Sequence, residues 1–216
     1  YGLQYDNYAL FDGNPEYTIN SCATSRCFFG QFNFESEIMQ DQNIRKAVEM
    51  GIDKEGFCSV IMEGRGLPAK AAFPDSFSYG NEAVETVSYD PEGAKKLLEE
   101  SGWKDTDGDG YADKDGQKLT INWLTYPTRL EQPKLAEYAQ ATLKEIGIDV
   151  VVNNTSDHMT YAADGDFDVY VSSTTTAPTG DPEYFFTSTV VGPKNYGKYE
   201  NKEVTALTEK LHQAFE

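Results

Sequence analysis

Apolar residues recur at helical spacing in two short segments of the first third of the chain. Each segment begins directly after an aspartate, Asp41 in the first case and Asp53 in the second. An aspartate at this position can accept hydrogen bonds from the unpaired amides of a first helical turn. The apolar positions are Ile44, Ala47, Val48, Phe57, Val60 and Ile61. The pattern predicts two short helices, the second ending near Met62, that pack on a sheet.

A third helix is specified at both of its ends. Asp90 is placed to cap it, Pro91 suits its first turn, and Gly102 suits the left-handed residue that follows a helix. Between these ends, apolar residues such as Ala94 and Leu98 recur at helical spacing. The sequence therefore predicts a helix between Asp90 and Gly102 with one buried face.

The pattern then changes to alternation, as expected for a strand with one buried face. Leu119, Ile121 and Trp123 are separated by polar residues. A long amphipathic segment follows and ends at Gly147, and residues 148–152 are again typical of a strand. A strand, a helix and a strand in immediate succession predict a parallel crossover. The fold class is therefore α/β.

Further elements complete the expected lobe. Strands are predicted at residues 16–20, 27–33 and 167–171, and a final helix is marked by Val204, Leu207 and Leu211. The 216 residues suffice to bury one sizeable core, and no apolar run is long enough to cross a membrane. We expect a single domain with a mixed sheet flanked by helices.

The net charge, the cysteines and histidines, and the absence of enzyme motifs limit the classes of function that the sequence allows. With 36 acidic and 18 basic side chains the net charge is −18, which opposes nucleic-acid binding and suits an exported protein or simple solvation. Cys22, Cys27 and Cys58 fit neither a zinc site nor a redox pair, although a Cys22–Cys27 disulfide stays open. His158 and His212 are interpreted as surface residues. The enzyme motifs expected of a hydrolase, a nucleotide-binding protein or a zinc protease are absent from the sequence, so we expect a binding protein.

An acidic segment resembles the first nine positions of a calcium loop. Asp105, Asp107 and Asp109 stand at alternate positions, and Asp113 follows at the ninth position of such a loop. Gly116 occupies the position where such a loop needs a bidentate glutamate. Two interpretations remain, an unliganded acidic turn and a structural calcium site. A calcium-stabilised interaction module is the corresponding alternative function.

Several segments together resemble the peptide/nickel family (family 5) of solute-binding proteins of ABC importers. They are Asn33, residues 44–47, 52–55, 89–92, 94–98, 102–103 and 144–148. The resemblance implies a periplasmic-binding-protein-like lobe of type II, in a two-lobed receptor that closes on its ligand. Residues 1–216 are then expected to be one lobe of a longer chain, truncated at both ends. The implied partners are a membrane permease and its ATPase, and the implied location is extracytoplasmic, in the periplasm or lipid-anchored at the outer face of the cell membrane.

The resemblance also indicates which segments face the ligand. The first contributes Gln31, and the second is the loop after the crossover strand, where the guanidinium of Arg129 suits a carboxylate. The third follows the strand predicted at 167–171. Its candidate residues are Thr174, Thr175, Thr176, Thr179 and Asp181.

The third segment favours one subgroup of the family. Peptide binders of the family tend to show Ala-Asp-Tyr there, and that aspartate pairs with the peptide amino terminus, whereas Ala177 is followed by Pro178. This favours nickel or a metal chelate over an oligopeptide, which remains the alternative ligand. No histidine lies between Pro182 and Leu211, so a metal is expected to arrive within a small chelator that meets Arg129. No resident cofactor is expected.

Overall fold

A central sheet and its flanking helices account for most of the regular structure. The computed structural model describes residues 3–22, 24–74, 77, 79–80, 83–175 and 181–214. The strands are β1 (Arg26–Phe32), β2 (Asp113–Lys114), β3 (Gln117–Lys118), β4 (Thr120–Thr125), β5 (Asp149–Asn154) and β6 (Val169–Thr175). The helices are α1 (Glu37–Gln40), α2 (Gln42–Gly51), α3 (Lys54–Gly56), α4 (Pro91–Glu100), α5 (Glu131–Glu145), α6 (His158–Asp164), α7 (Glu183–Phe185) and α8 (Lys202–Gln213). A 3₁₀ segment covers Tyr5–Leu10, and π-helical segments at Phe57–Ile61 and Phe186–Val190 continue α3 and α7.

Four strands form a mixed sheet in the order β1-β6-β4-β5. β4 is parallel to β5 and β6, and β1 is antiparallel to β6, with Arg26 opposite Thr175 and Phe32 opposite Val169. The ends of β4, β5 and β6 and the start of β1 consequently lie at one edge, which we call the carboxyl edge. The opposite side, where β6 begins and β1 ends, is the amino edge. The mixed α/β sheet is confirmed, and β2 and β3 form a separate small hairpin.

The crossover from β4 through α5 to β5 is present as predicted. Leu119, Ile121 and Trp123 are almost completely buried, while Asn122 between them is exposed. They form one core with the inner faces of α2, α4 and α5. Leu124 is buried as well, because α6 covers the opposite face of the sheet with a second, smaller cluster. None of the helices in the described ranges is long and apolar enough to cross a membrane.

The predicted helix starts are confirmed by their caps. The side chain of Asp41 accepts a hydrogen bond from the Asn43 amide at 2.8 Å, and that of Asp90 accepts one from the Gly93 amide at 2.9 Å. Asp53 caps α3 in the same way. Each cap satisfies an amide that has no partner within the helix, so the helix starts are fixed locally.

Several predictions were wrong or incomplete. Residues 16–20 do not form a strand. They are exposed or half-buried and pair with none of the described strands, so alternation there lacks the neighbour that a ladder requires. The strand predicted at 167–171 begins at Val169 and continues to Thr175, because β1 pairs along its whole length. α6 was not predicted, and the three cysteines are free thiols, so Cys22 and Cys27 do not form a disulfide.

The aromatic segment between α3 and α4 packs against the described part of the fold. Phe73 is buried, and its ring contacts those of Phe77, Tyr79, Phe185 and Phe186 at centroid distances of 5.3–6.4 Å. The Phe185 ring in turn meets Phe29 of β1 at 5.4 Å. Aromatic packing thereby ties this segment and α7 to the sheet.

Candidate functional site

The carboxyl edge brings together side chains from three parts of the chain. Tyr126 and Arg129 follow β4, His158 begins α6 after β5, and Thr174 and Thr175 end β6. Leu124 pairs with Tyr170, so β6 runs several residues past the end of β4. The edges of parallel strands at which the chain leaves the sheet are common ligand sites in α/β proteins.

Arg129 combines a fixed backbone with an available side chain. Its carbonyl accepts the Gln132 amide at 3.0 Å, and the Thr125 hydroxyl lies 3.0 Å from the buried Gln132 carboxamide and 3.3 Å from the Val171 carbonyl. These contacts hold the loop to α5 and β6. The Arg129 side chain is exposed and forms no hydrogen bond or ion pair with the described residues. Its planar donors are therefore available to an external carboxylate.

The other predicted contacts of the third segment are partly described. Thr174 and Thr175 are half-buried at the end of β6, opposite Cys27 and Arg26 of β1. Asp181 accepts a hydrogen bond from the Glu183 amide at 2.8 Å, which stabilises the start of α7. The predicted contacts Thr176 and Thr179 lie outside the described residues.

Gln31 lies away from the threonines at the end of β6. It pairs with Tyr170, four residues before Thr174, a separation of about 13 Å along a strand. Its side-chain oxygen accepts the Gly197 amide at 3.3 Å. Within the described structure Gln31 thus links β1 to the segment before α8, and its contact with a ligand stays a prediction.

A polar and aromatic network at the carboxyl edge was not anticipated. The rings of Tyr126 and His158 stack at a centroid distance of 4.2 Å, and His158 Nδ1 lies 2.7 Å from the Tyr170 hydroxyl. The Tyr126 hydroxyl lies 3.2 Å from Ser173 Oγ, which also accepts a hydrogen bond from Arg26 at 3.3 Å. The network therefore connects β1, β4, β6 and the start of α6.

This environment changes the chemistry of His158. The interpretation of His158 as a surface residue was wrong, since its ring is half-buried between two tyrosines. Burial lowers the pKa of His158 below its ordinary value although Asp157 acts in the opposite direction, and burial raises the pKa of Tyr170. The sequence did contain a signal for His158. Like Arg129, it follows the end of a parallel strand, which is where ligand-binding residues are expected.

The acidic loop lies elsewhere, before the start of β4. One carboxylate oxygen from each of Asp105, Asp107 and Asp109 lies within 4.8 Å of the others. The Asp105 carboxylate already accepts two backbone amides, and Asp109 accepts the Tyr111 amide and pairs with Lys118 at 3.1 Å. These donors lower the pKa of Asp109.

Asp113 takes a different part in this loop. Both of its carboxylate oxygens are hydrogen-bonded to Thr106, at 2.6 and 2.8 Å, and it does not join the group of three. Amides and a lysine thus satisfy much of the charge that a cation would otherwise neutralise. Calcium binding by the loop stays a prediction.

The amino edge contains a buried polar network. Asn33 donates to the carbonyls of Gly165 and Phe167 at 3.0 and 2.9 Å. Asp168 is buried and accepts hydrogen bonds from the Ser36 hydroxyl and from the backbone and side-chain nitrogens of Asn122. These contacts join β1, β4 and the start of β6.

Comparison with known proteins identifies the family. The model of the bacterial extracellular solute-binding proteins, family 5 Middle, matches residues 1–197. The chain is similar to the oligopeptide-binding protein AppA of Bacillus subtilis, with 30% identity over 196 residues, and to the nickel-binding periplasmic protein of Escherichia coli, with 29% identity over 188 residues. The alignments cover 88% and 86% of this chain and 36% of each relative.

A solved structure supports the same relationship. NikA from Brucella suis, in complex with Fe(III)-EDTA, superposes with a TM-score of 0.84 at 25% identity, covering 97% of this chain and 43% of that one. The type II periplasmic-binding-protein fold expected from the sequence is thereby confirmed, and the named relatives are binding proteins. The chain therefore belongs to family 5 of the bacterial extracellular solute-binding proteins.

Proposed function

We propose that this chain is a ligand-binding lobe of the solute-binding component of an ABC importer, and that its ligand is nickel or a small metal chelate. A second lobe of the same receptor would close over the carboxyl edge, and the closed receptor would deliver the ligand to a membrane permease and its ATPase. The receptor acts outside the cytoplasm, held to the membrane by a lipid anchor. Family membership and the binding functions named for the relatives support this role.

The choice of ligand class rests on the guanidinium of Arg129, which could bind a carboxylate of the ligand. It is exposed, lacks a partner among the described residues and extends from a loop that the contacts of Thr125 fix in place. A guanidinium can engage both oxygens of a carboxylate, which small metal chelators carry in abundance. With a net charge of −18, most of the chain repels an anionic chelate. A local arginine supplies the attraction, and the hydroxyls of Thr174 and Thr175 add neutral donors.

The relatives allow two ligand classes. The Brucella suis protein holds iron within EDTA, a chelator rich in carboxylates, whereas AppA is named for oligopeptides. A peptide would also present a carboxylate to Arg129, but its amino terminus needs an anionic partner. Asp181, the first described carboxylate after β6, is engaged at the start of α7, and Ala177 is followed by Pro178 in the sequence. These features support the chelate.

Binding measurements with matched variants test the proposal. We expect the chain to bind Ni(II)–EDTA in calorimetric titration, and Arg129→Ala to weaken that binding roughly tenfold or more, because a hydrogen bond to a charged group contributes about 1.5–3 kcal/mol. Arg129→Lys should be intermediate, since the charge stays and the planar donors are lost. Lys95→Ala on α4 removes the same charge from an exposed pair with Glu92 and is the control.

The ligand carried by the natively purified protein separates the two classes. Metal analysis combined with mass spectrometry should find nickel or cobalt together with a small organic acid. A mixture of short peptides without metal would overturn the chelate and favour the oligopeptide. Equal affinity of Arg129→Ala and the unmodified chain for Ni(II)–EDTA would show that Arg129 does not bind the chelate, and the proposed ligand class would lose its main support.

A further inference from the structure

His158 is held by its neighbours in a fixed orientation at the carboxyl edge. Its ring stacks on Tyr126 at 4.2 Å with an interplanar angle of 28°, and its Nδ1 contacts the Tyr170 hydroxyl at 2.7 Å. Tyr126 and Tyr170 are themselves buried. Two rigid aromatic side chains therefore restrict the imidazole, which is half-buried.

The contact with Tyr170 decides which nitrogen can serve a ligand. Nδ1 is occupied, while Nε2 has no hydrogen-bond partner among the described residues. When Nδ1 carries the proton and donates it to the tyrosine oxygen, the lone pair of Nε2 is available. Metal-binding histidines usually donate their second nitrogen to a neighbouring oxygen in this way, which fixes both the tautomer and the ring orientation.

The position of His158 relates it to the residues of the proposed chelate site. Tyr126, on which it stacks, lies three residues before Arg129 on the same loop. The Tyr126 hydroxyl contacts Ser173, the residue before Thr174. The imidazole is therefore part of the same edge as the guanidinium and the threonine hydroxyls.

We propose that His158 is a direct metal ligand, with Nε2 filling a coordination position that a small carboxylate chelator leaves open on a nickel, copper or zinc ion. The inference rests on the proposed function and assigns its substrate class as an unsaturated chelate. Arg129 pairs with a chelator carboxylate, and His158 coordinates the metal ion directly. Imidazole nitrogen suits these borderline ions, whereas calcium and magnesium prefer oxygen ligands.

Two nickel chelates distinguish this role from that of Arg129. Nitrilotriacetate leaves two positions of nickel open, whereas EDTA can occupy all six. We expect His158→Phe, which retains a ring to stack on Tyr126, to weaken binding of Ni(II)–nitrilotriacetate by at least tenfold and binding of Ni(II)–EDTA by much less. Arg129→Ala should weaken both. Tyr170→Phe should cost roughly tenfold for the open chelate, as is typical when a partner of a metal-binding histidine is lost, and His212→Ala is the matched histidine control.

Spectroscopy provides the direct readout. Electron paramagnetic resonance of Cu(II)–nitrilotriacetate bound to the untagged chain should show coupling to an imidazole nitrogen, and the coupling should disappear in His158→Phe. Circular dichroism checks that each variant is folded, and His158→Asn serves as a second substitution if the first unfolds. Retained coupling, equal affinities for the open chelate, or equal losses for both chelates would overturn the role of His158. An effect of Arg129→Ala on Ni(II)–EDTA would in that case still support the proposed function.

Discussion

The polar groups at the two edges of the central sheet differ in burial and in hydrogen bonding. At the amino edge, the Asp168 carboxylate is buried and accepts three hydrogen bonds from Ser36 and Asn122. At the carboxyl edge, Arg129 is exposed and has no partner among the described residues, and His158 uses one nitrogen of two. The polar groups of the amino edge are thus paired within the fold, and those of the carboxyl edge include donors that no described residue engages.

Burial explains the difference. A buried carboxylate is costly unless its oxygens are hydrogen-bonded, so Asp168 can be retained only with its partners in place. An exposed guanidinium is solvated by water, so leaving it without a protein partner costs little free energy. Substitutions at the amino edge should therefore change the free energy of unfolding, and those at the carboxyl edge should change affinity.

The largest effect is expected at Asp168. Asp168→Ala leaves the Ser36 hydroxyl and both Asn122 nitrogens without their acceptor, and we expect a loss of about 2–4 kcal/mol in the free energy of unfolding. Urea denaturation followed by circular dichroism measures it. Asp166→Ala, an exposed neighbour, should change stability by less than about 0.5 kcal/mol. Equal losses for the two variants would contradict the structural role of this edge.

Asn33→Ala should have the next largest effect on stability. The substitution removes the donors to the Gly165 and Phe167 carbonyls and the acceptor of the Glu35 amide. We expect a loss of about 1–3 kcal/mol, since buried backbone groups are left unsatisfied. The same denaturation experiment applies, with exposed Asn20 as the control position. A loss no greater than that of Asn20→Ala would show that water replaces the missing amide.

Arg129→Ala sharpens the comparison from the other edge. We expect the free energy of unfolding to stay within about 0.5 kcal/mol of the unmodified chain, because the side chain is exposed and forms no hydrogen bond or ion pair with the described residues. The roughly tenfold loss of chelate affinity should therefore occur at unchanged stability. Denaturation and calorimetric titration on one preparation provide both values. A destabilised variant would show that the guanidinium also supports the fold.

The smallest effect is expected in the acidic loop. Asp105→Asn should lower the free energy of unfolding by less than about 1 kcal/mol, because the carboxylate is exposed and an amide oxygen can still accept one of its two hydrogen bonds. Repeating the melting curves with calcium tests the structural calcium expectation. A calcium-dependent rise in melting temperature that Asp105→Asn abolishes would support calcium binding by the loop. Identical curves with and without calcium would contradict it.

Sequence patterns predicted the elements whose signals are local. Asp41, Asp53 and Asp90 cap helices within three residues of their own positions, and the crossover through α5 follows from periodicity alone. Residues 16–20 had strand composition but no neighbouring strand in the described structure. Strand formation depends on such a neighbour, which a local pattern does not contain.

The same distinction applies to the site. Arg129 could be placed at the carboxyl edge because the loop follows a recognisable strand. The setting of His158 depends on Tyr126, which precedes it by a strand and a helix, and on Tyr170 in the following strand. Likewise, the partner of Gln31 is Gly197, 166 residues later. Contacts between elements of this kind require the topology and cannot be read from spacing.

The extension of β6 past the end of β4 has a consequence for motion. Among the described residues, β6 beyond Tyr170 pairs with β1 alone, so Thr174 and Thr175 belong to a two-stranded ribbon. In such a ribbon only alternate amides are bonded to the partner strand, and hydrogen exchange should protect every second position. The hydroxyls of Thr174 and Thr175 therefore stand on a part of β6 that has one neighbouring strand, whereas the part below it has two.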